Sequence, residues 1–223
     1  MLTPQEVKDF AISLGADRCG ISGTGRFSEA PAGFRPTDIW SKAKSVVVFL
    51  KSMPKEAIHA ENVAVYSHTA YMLYTTLDKI GLELCIRLQH KGHGAIPVPT
   101  DVPYLFWEPE KQKGMGILSL RHAARNAGLG FLGRNNLLID DEFGSMLYIG
   151  AVLTDALLEE DPLSTVTECL KGCSLCLDSC PSGALDGITV RQDLCRPLSC
   201  QVHPRGWDLY TCNECRKVCP FNN

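Results

Sequence analysis

Nine of the eleven cysteines fall between Cys169 and Cys219. They form two runs, Cys169-x3-Cys173-x2-Cys176-x3-Cys180-Pro181 and Cys212-x2-Cys215-x3-Cys219-Pro220, with Cys195 and Cys200 between them. A [4Fe–4S] cube takes four thiolates, and in two-cluster bacterial runs the last Cys, the one before Pro, ligates the other cube. Short intervals let one loop present several sulfurs to one cube, and the Pro stops the chain from continuing as helix. By this logic Cys169, Cys173, Cys176 and Cys219 hold one cluster. Cys180, Cys212 and Cys215 hold the second, with Cys195, or else Cys200, as fourth ligand. The x3 interval after Cys169 is one residue longer than in the bacterial run.

Two plainer readings of the same cysteines compete. A zinc ribbon uses two C-x2-C knuckles, which leaves the remaining cysteines and both Cys-Pro pairs without a role. A disulfide framework needs an oxidising compartment, and the N-terminus, Met1-Leu-Thr-Pro-Gln-Glu6, has no basic region followed by an apolar stretch that would mark a signal peptide. The longest aliphatic run, Val46 to Leu50, is far too short to cross a bilayer. Cytoplasmic thiolates and no membrane partner are therefore expected.

Over 223 residues, 45% hydrophobic and 21% charged, the chain can build one good core and a small second module. The net charge is −3, and from Glu160 onward six Lys or Arg face eight Asp or Glu. That balance lacks the basic footprint of a nucleic-acid binder, so nucleic acid is not an expected partner.

The elements that must position the cysteines are legible upstream. Thr3-Pro4-Gln5-Glu6 has the residues of a capping box, and Val7, Phe10, Ala11 and Leu14 continue a helix that stops at Gly15. Residues 17–22 read as a strand, with Cys19 a buried structural thiol, and 22–36 as a Gly-, Ser- and Pro-rich loop. Residues 44–50 form an apolar strand of the kind buried on both faces. A helix follows over 65–90, its stripe of Tyr66, Ala70, Leu73, Leu77, Ile80, Leu84 and Leu88 facing the core beside Cys85. His90 and His93 belong to the solvated turn that ends it. Residues 95–98 are a further strand. Residues 99–116, with Tyr104, Phe106 and Trp107, read as a long irregular loop of the sort that carries function. A short helix over 119–127 is capped by Gly128.

Gly128-Leu-Gly130-Phe-Leu-Gly133 has the form G-x-G-x-x-G, but a dinucleotide fingerprint follows a strand and opens a helix. This one follows a helix and leads into a strand at 137–139. Its glycines are read as letting backbone approach a ligand or another element closely. Residues 140–144 turn into a last strand, 145–154. At least four strands and three helices thus occupy residues 1–160, and the cysteine module occupies 161–223.

Several segments resemble epoxyqueuosine reductases and reductive dehalogenases, the cobalamin-dependent iron–sulfur proteins. They are 14–22 (Leu-Gly-Ala-Asp-Arg-Cys-Gly-Ile-Ser), 127–135 (Ala-Gly-Leu-Gly-Phe-Leu-Gly-Arg-Asn), 137–139, 142–145, 153–155 and the cysteine runs ending Cys219-Pro-Phe-Asn222. The resemblance implies an α+β chain: a nitroreductase-like α/β corrinoid-binding sandwich (1–160) followed by a ferredoxin-like domain with two [4Fe–4S] clusters (161–223). It implies that electrons from a donor such as ferredoxin or flavodoxin pass through the clusters to a bound corrinoid. By motif match, Gly128, Gly130, Gly133, Arg134, Asn135, Phe143, Gly144 and Ser145 would border that corrinoid, Arg134 facing its propionamide or phosphate oxygens.

The sequence also departs from the family. Gly114-Met115-Gly116 stands where epoxyqueuosine reductases carry the acidic D-T-x motif whose Asp is the proposed proton donor. Ala70-Tyr71-Met72 replaces D-Y-H, and the tRNA-acting enzymes continue past the position of Asn223 into helical repeats. A general acid must reach the atom it protonates, and Glu108, Glu110 and His122 are the substitutes at hand. The expected function is a corrinoid- and iron–sulfur-dependent reductase; the alternatives are a two-cluster electron carrier without corrinoid, and reduction of epoxyqueuosine in tRNA.

Overall fold

The computed structural model describes residues 2–103 and 105–222. Met1, Tyr104 and Asn223, named in the sequence reading, lie outside the described residues.

Helix α1 (Pro4–Ser13) starts on the expected capping box: the Glu6 N–H donates to Thr3 Oγ1 and the Thr3 N–H to Glu6 Oε2. Strand β1 (Arg18–Gly23) leads through a 3-10 turn (Thr24–Phe27) and a one-turn helix, α2 (Pro36–Ile39), to β2 (Ser45–Ser52). The long helix α3 (Val63–His90) is capped by Asn62, whose Oδ1 accepts from the Ala64 N–H, so it begins two residues before the expected position. Strand β3 (Ala95–Val98) follows as expected.

The region read as irregular, 99–116, holds a small hairpin of β4 (Phe106–Glu108) and β5 (Lys113–Met115). Helix α4 (Leu120–Asn126) precedes another short hairpin, β6 (Phe131–Leu132) with β7 (Leu138–Ile139). Strand β8 (Leu147–Thr154) closes the first unit. In the module, α5 (Leu175–Asp178), α6 (Gln192–Ser199), the hairpin β9 (Cys200–Val202) with β10 (Asp208–Tyr210), and α7 (Glu214–Lys217) follow in order.

One four-stranded sheet, in the order β1-β2-β8-β3 and antiparallel throughout, forms the middle layer. Side chains alternate across β2. Val47 and Phe49 pack with Val7 and Ala11 of α1 and with Leu77, Ile80, Leu84 and Leu88 of α3. Val46, Val48 and Leu50 pack with Ala123, Ala124, Ala127 and Leu129 around α4. Helices thus cover both faces, which is why 46–50 is apolar without alternation although its neighbours are antiparallel. Each fully buried Leu, Val or Phe here contributes about 1.5–3 kcal/mol. Cys85 is buried in the α1–α3 layer, whereas Cys19 is only partly buried beside it, because β1 is an edge strand. Among the described residues no helix is long and apolar enough to cross a membrane.

Candidate cofactor site at the junction of the two units

The cysteine module docks through polar contacts along one side of the sheet unit. The Tyr71 hydroxyl of α3 donates to Asp208 O at 2.8 Å and accepts from the Asp208 N–H at 2.9 Å. Ser67 Oγ accepts from the Tyr210 N–H at 2.9 Å. Gln192 of α6 clamps Gly114 of β5 by two hydrogen bonds, 2.9 and 3.1 Å, and Arg196 lies 5.0 Å from the centre of the Trp107 ring. Tyr71 of α3 and Gly114 of β5 thus supply module contacts.

The cysteines converge in two groups. Cys169, Cys173, Cys176 and Cys219, the four expected to share one cube, line a single small cavity with Arg134 and Phe221. Around Cys212 lie Cys180 and Cys195, and around Cys215 lie Cys195 and Cys212. Cys200 lies beside Asp208 and Arg196. That geometry favours Cys195 over Cys200 as the thiol completing the second group. Cys176 lies near Cys215, so the two groups are neighbours. Among the described residues, no three His, Cys, Asp or Glu side chains close on a single ion.

Most residues expected to border a corrinoid make contacts within the protein. A Cβ on Gly128 would meet Pro162 O at 2.0 Å, and one on Gly130 would meet Ile139 O at 2.1 Å. Close approach is what these glycines permit, and the approaching element is backbone. Gly133 packs on Asn135 and Ile139, and Phe143 on the α4-side core. Arg134 sits beside the first cysteine group: its guanidinium donates to Cys173 O at 2.6 Å and its N–H to Cys169 Sγ at 3.4 Å. Asn135 donates to Cys215 O at 3.2 Å. Gly144 lies against Phe221 O, and the Ser145 N–H donates to Asn222 Oδ1 at 2.7 Å. Of the eight, only Ser145 also lines the larger opening at the junction.

That opening is a cleft of about 220 Å³, walled by Tyr74, Thr100, Arg121, Ser145, Tyr148 and Arg216 among others. Arg216, next to Cys215, is buried; it donates to Ser145 O and, at 3.3 Å, to Leu147 O, and lies 5.4 Å from the Tyr148 ring centre. Burial pushes the Tyr74 and Tyr148 hydroxyls well above the ordinary tyrosine value, so both keep their protons at neutral pH. Arg216 and this tyrosine cluster escaped the sequence reading. The one available signal was the spacing of Tyr66, Tyr71 and Tyr74 along α3.

The three acids considered as substitutes lie elsewhere. Glu108 pairs with Lys111 at 2.7 Å on the β4–β5 hairpin, Glu110 is exposed, and His122 is hydrogen-bonded to Ser119 at 2.7 Å on α4. None of them lines the cleft.

No protein-family model matches the chain. An epoxyqueuosine reductase of Staphylococcus aureus is 26% identical over 258 residues, covering 98% of this chain and 64% of that protein. A tetrachloroethene reductive dehalogenase of Desulfitobacterium hafniense is 28% identical over 213 residues, covering 87% and 34%. The chain thus spans between about a third and two thirds of these curated relatives. Among solved structures, an epoxyqueuosine reductase with an epoxyqueuosine-modified tRNA stem loop superimposes with a TM-score of 0.67 at 23% identity, covering 98% of this chain and 64% of that one. A reductive dehalogenase superimposes at 0.71 and 18% identity, covering 98% and 31%. The tRNA-bearing neighbour runs against excluding nucleic acid on charge balance alone. The chain is a homologue of the epoxyqueuosine reductases and reductive dehalogenases, and it covers the domain that the two share.

Proposed function

We propose that this protein is a reductase that moves low-potential electrons through two [4Fe–4S] clusters to a corrinoid held at the junction cleft. The observation that supports the reading is that Cys169, Cys173, Cys176 and Cys219 line one small cavity, while Cys180 and Cys195 lie near Cys212, and Cys195 and Cys212 near Cys215. Cys169, Cys173, Cys176 and Cys219 would hold one cube; Cys180, Cys195, Cys212 and Cys215 would hold the other. Such clusters supply one-electron transfer at a potential set by hydrogen bonds, charge and exposure around the sulfurs. The Arg134 N–H on Cys169 Sγ is one such hydrogen bond, and the Arg216 guanidinium is a fixed positive charge beside the second group. A ferredoxin or flavodoxin in the cytoplasm would supply the electrons.

The cleft adjoins the second group through Arg216, which recommends it as the corrinoid site. A bound corrinoid would supply a reducible metal centre there. At 220 Å³ the cleft is smaller than the roughly 300–1,000 Å³ of pockets that enclose drug-sized ligands, so a corrinoid would extend beyond it. Tyr74, Thr100 and Tyr148 offer it hydroxyl groups.

A second reading, a two-cluster electron carrier without corrinoid, is favoured by the way Gly128 to Asn135 are engaged in internal contacts. Action on tRNA follows from one neighbour's bound stem loop and is the third possibility. An anaerobic titration separates the first two. Reconstituted protein is mixed with cob(II)alamin and a low-potential reductant and followed by visible absorbance and EPR. A cobalt signal perturbed at one equivalent, beside two cluster signals, is the expected result. Two clusters with cobalamin unchanged from free solution would leave the carrier.

A further inference from the structure

A second cavity, of about 390 Å³, opens between the loop after β1, the segment entering α4, and α4 itself. Phe27, Phe34 and Leu118 form its apolar wall; Arg121, His122 and Arg125 form its polar wall. Its volume falls within the roughly 300–1,000 Å³ of small-molecule sites.

The charges on this wall do not balance. Arg26, also on it, is paired with Glu160 at 3.0 Å. Arg121 and Arg125 donate only to Asn136 O and Asn126 Oδ1, and neither forms an ion pair with a carboxylate among the described residues. The acidic side chain on the wall, Glu29, is exposed. Burial lowers the Arg121 pKa; burial, with Arg121 and Arg125 alongside, lowers that of His122. A partly buried guanidinium without a counter-charge carries a desolvation cost, and an incoming anion offsets it.

We infer that this cavity binds a small organic oxyanion, a phosphate or carboxylate on an apolar body, its charged end taken by Arg121 and Arg125 and its body resting on Phe27, Phe34 and Leu118. A guanidinium fork meets either oxyanion with two parallel hydrogen bonds. His122 can add a third from Nε2, since Nδ1 is engaged with Ser119. Arg121 lines the junction cleft as well, so a single side chain stands between the two spaces.

The test is calorimetric titration of the reconstituted protein, without corrinoid, with phenyl phosphate, benzoate and neutral phenol. Saturable one-site binding of phenyl phosphate or benzoate is expected, at least about tenfold tighter than phenol. The tighter of the two identifies the oxyanion. Arg125→Gln, an exposed position on the wall, should weaken that binding about tenfold while leaving the melting temperature unchanged. The inference is overturned if neither anion saturates by about 10 mM, if phenol binds equally well, or if Arg125→Gln changes nothing. Displacement of the bound anion by one equivalent of hydroxocobalamin would also overturn it, by making the cavity part of the corrinoid's own site. Since the first titration contains no corrinoid, the proposed function can fail without deciding this result.

Discussion

Between Val7 and Leu158 the structure buries three clusters of apolar side chains. From Asp161 onward, only Cys176, Ala184 and Arg216 are buried among the described residues. Leu170, Ile188, Val202 and Trp207 of that second region remain exposed. The first unit is held by the hydrophobic effect across both faces of a sheet. The module has no such core, and below about 70–80 residues even a real core rarely supplies more than about 3–5 kcal/mol. Small domains of this kind need a staple, and where the staple is a metal group its binding free energy is folding free energy. The contrast teaches that the sheet unit is held by buried apolar area, whereas the cysteine region needs some other source of stability.

Removing the iron should break the comparison most visibly. In chelator-treated protein, hydrogen exchange across 161–222 should approach that of unfolded chain, while β2, β8 and α3 keep their protection. Equal retention in both regions would mean that the module stands without iron. Next in size is the ligand choice. Cys195→Ser should lose one cluster's EPR signal and about half of the bound iron, about four atoms of eight, whereas Cys200→Ser should retain both. The reverse pattern would exchange their roles.

Arg216→Met tests the junction. It leaves Ser145 O and Leu147 O without their buried charged donor, at a cost of about 2–3 kcal/mol. Limited proteolysis should then release the module while the sheet unit melts close to its normal temperature. The smallest effect belongs to the sheet unit alone. Burial acts to raise the Asp17 pKa, but hydrogen bonds from Lys51 and from the Ser52 N–H and hydroxyl outweigh it and hold the carboxyl below its usual value. A depressed folded pKa stabilises above the unfolded value and loses that contribution as pH falls through the folded one. Asp17→Asn should cost less than about 1 kcal/mol at neutral pH and flatten the loss of stability below about pH 4. A steeper acid loss in the variant would reverse that sign.

Local signals in the chain were reliable where the cause was local. The capping box at Thr3 and Glu6, the apolar run 46–50 and the stripe along α3 each record a rule that acts within a few residues, and each element formed. The hairpin of β4 and β5 was illegible because 106–115 has no alternating pattern; Gln192 and Arg196, some eighty residues away, hold it in place. Gly128 and Gly130 announced close approach, yet whether a ligand or backbone would approach depended on where Pro162 and Ile139 came to lie.

The sequence by itself carried the cysteine pattern, since thiol number, interval and following proline are properties of the chain. It also determined which helix and strand faces are apolar. Tertiary structure alone put Cys195 beside Cys212 and Cys215, and Cys200 beside Asp208 and Arg196, because both cysteines lie in the same interval and only the α6–β9 geometry separates their surroundings. It alone placed Arg216 against Ser145 and Tyr148, and Arg121 beside Arg125 on one cavity. Such placements rest on contacts between residues far apart in sequence, and no local pattern encodes them.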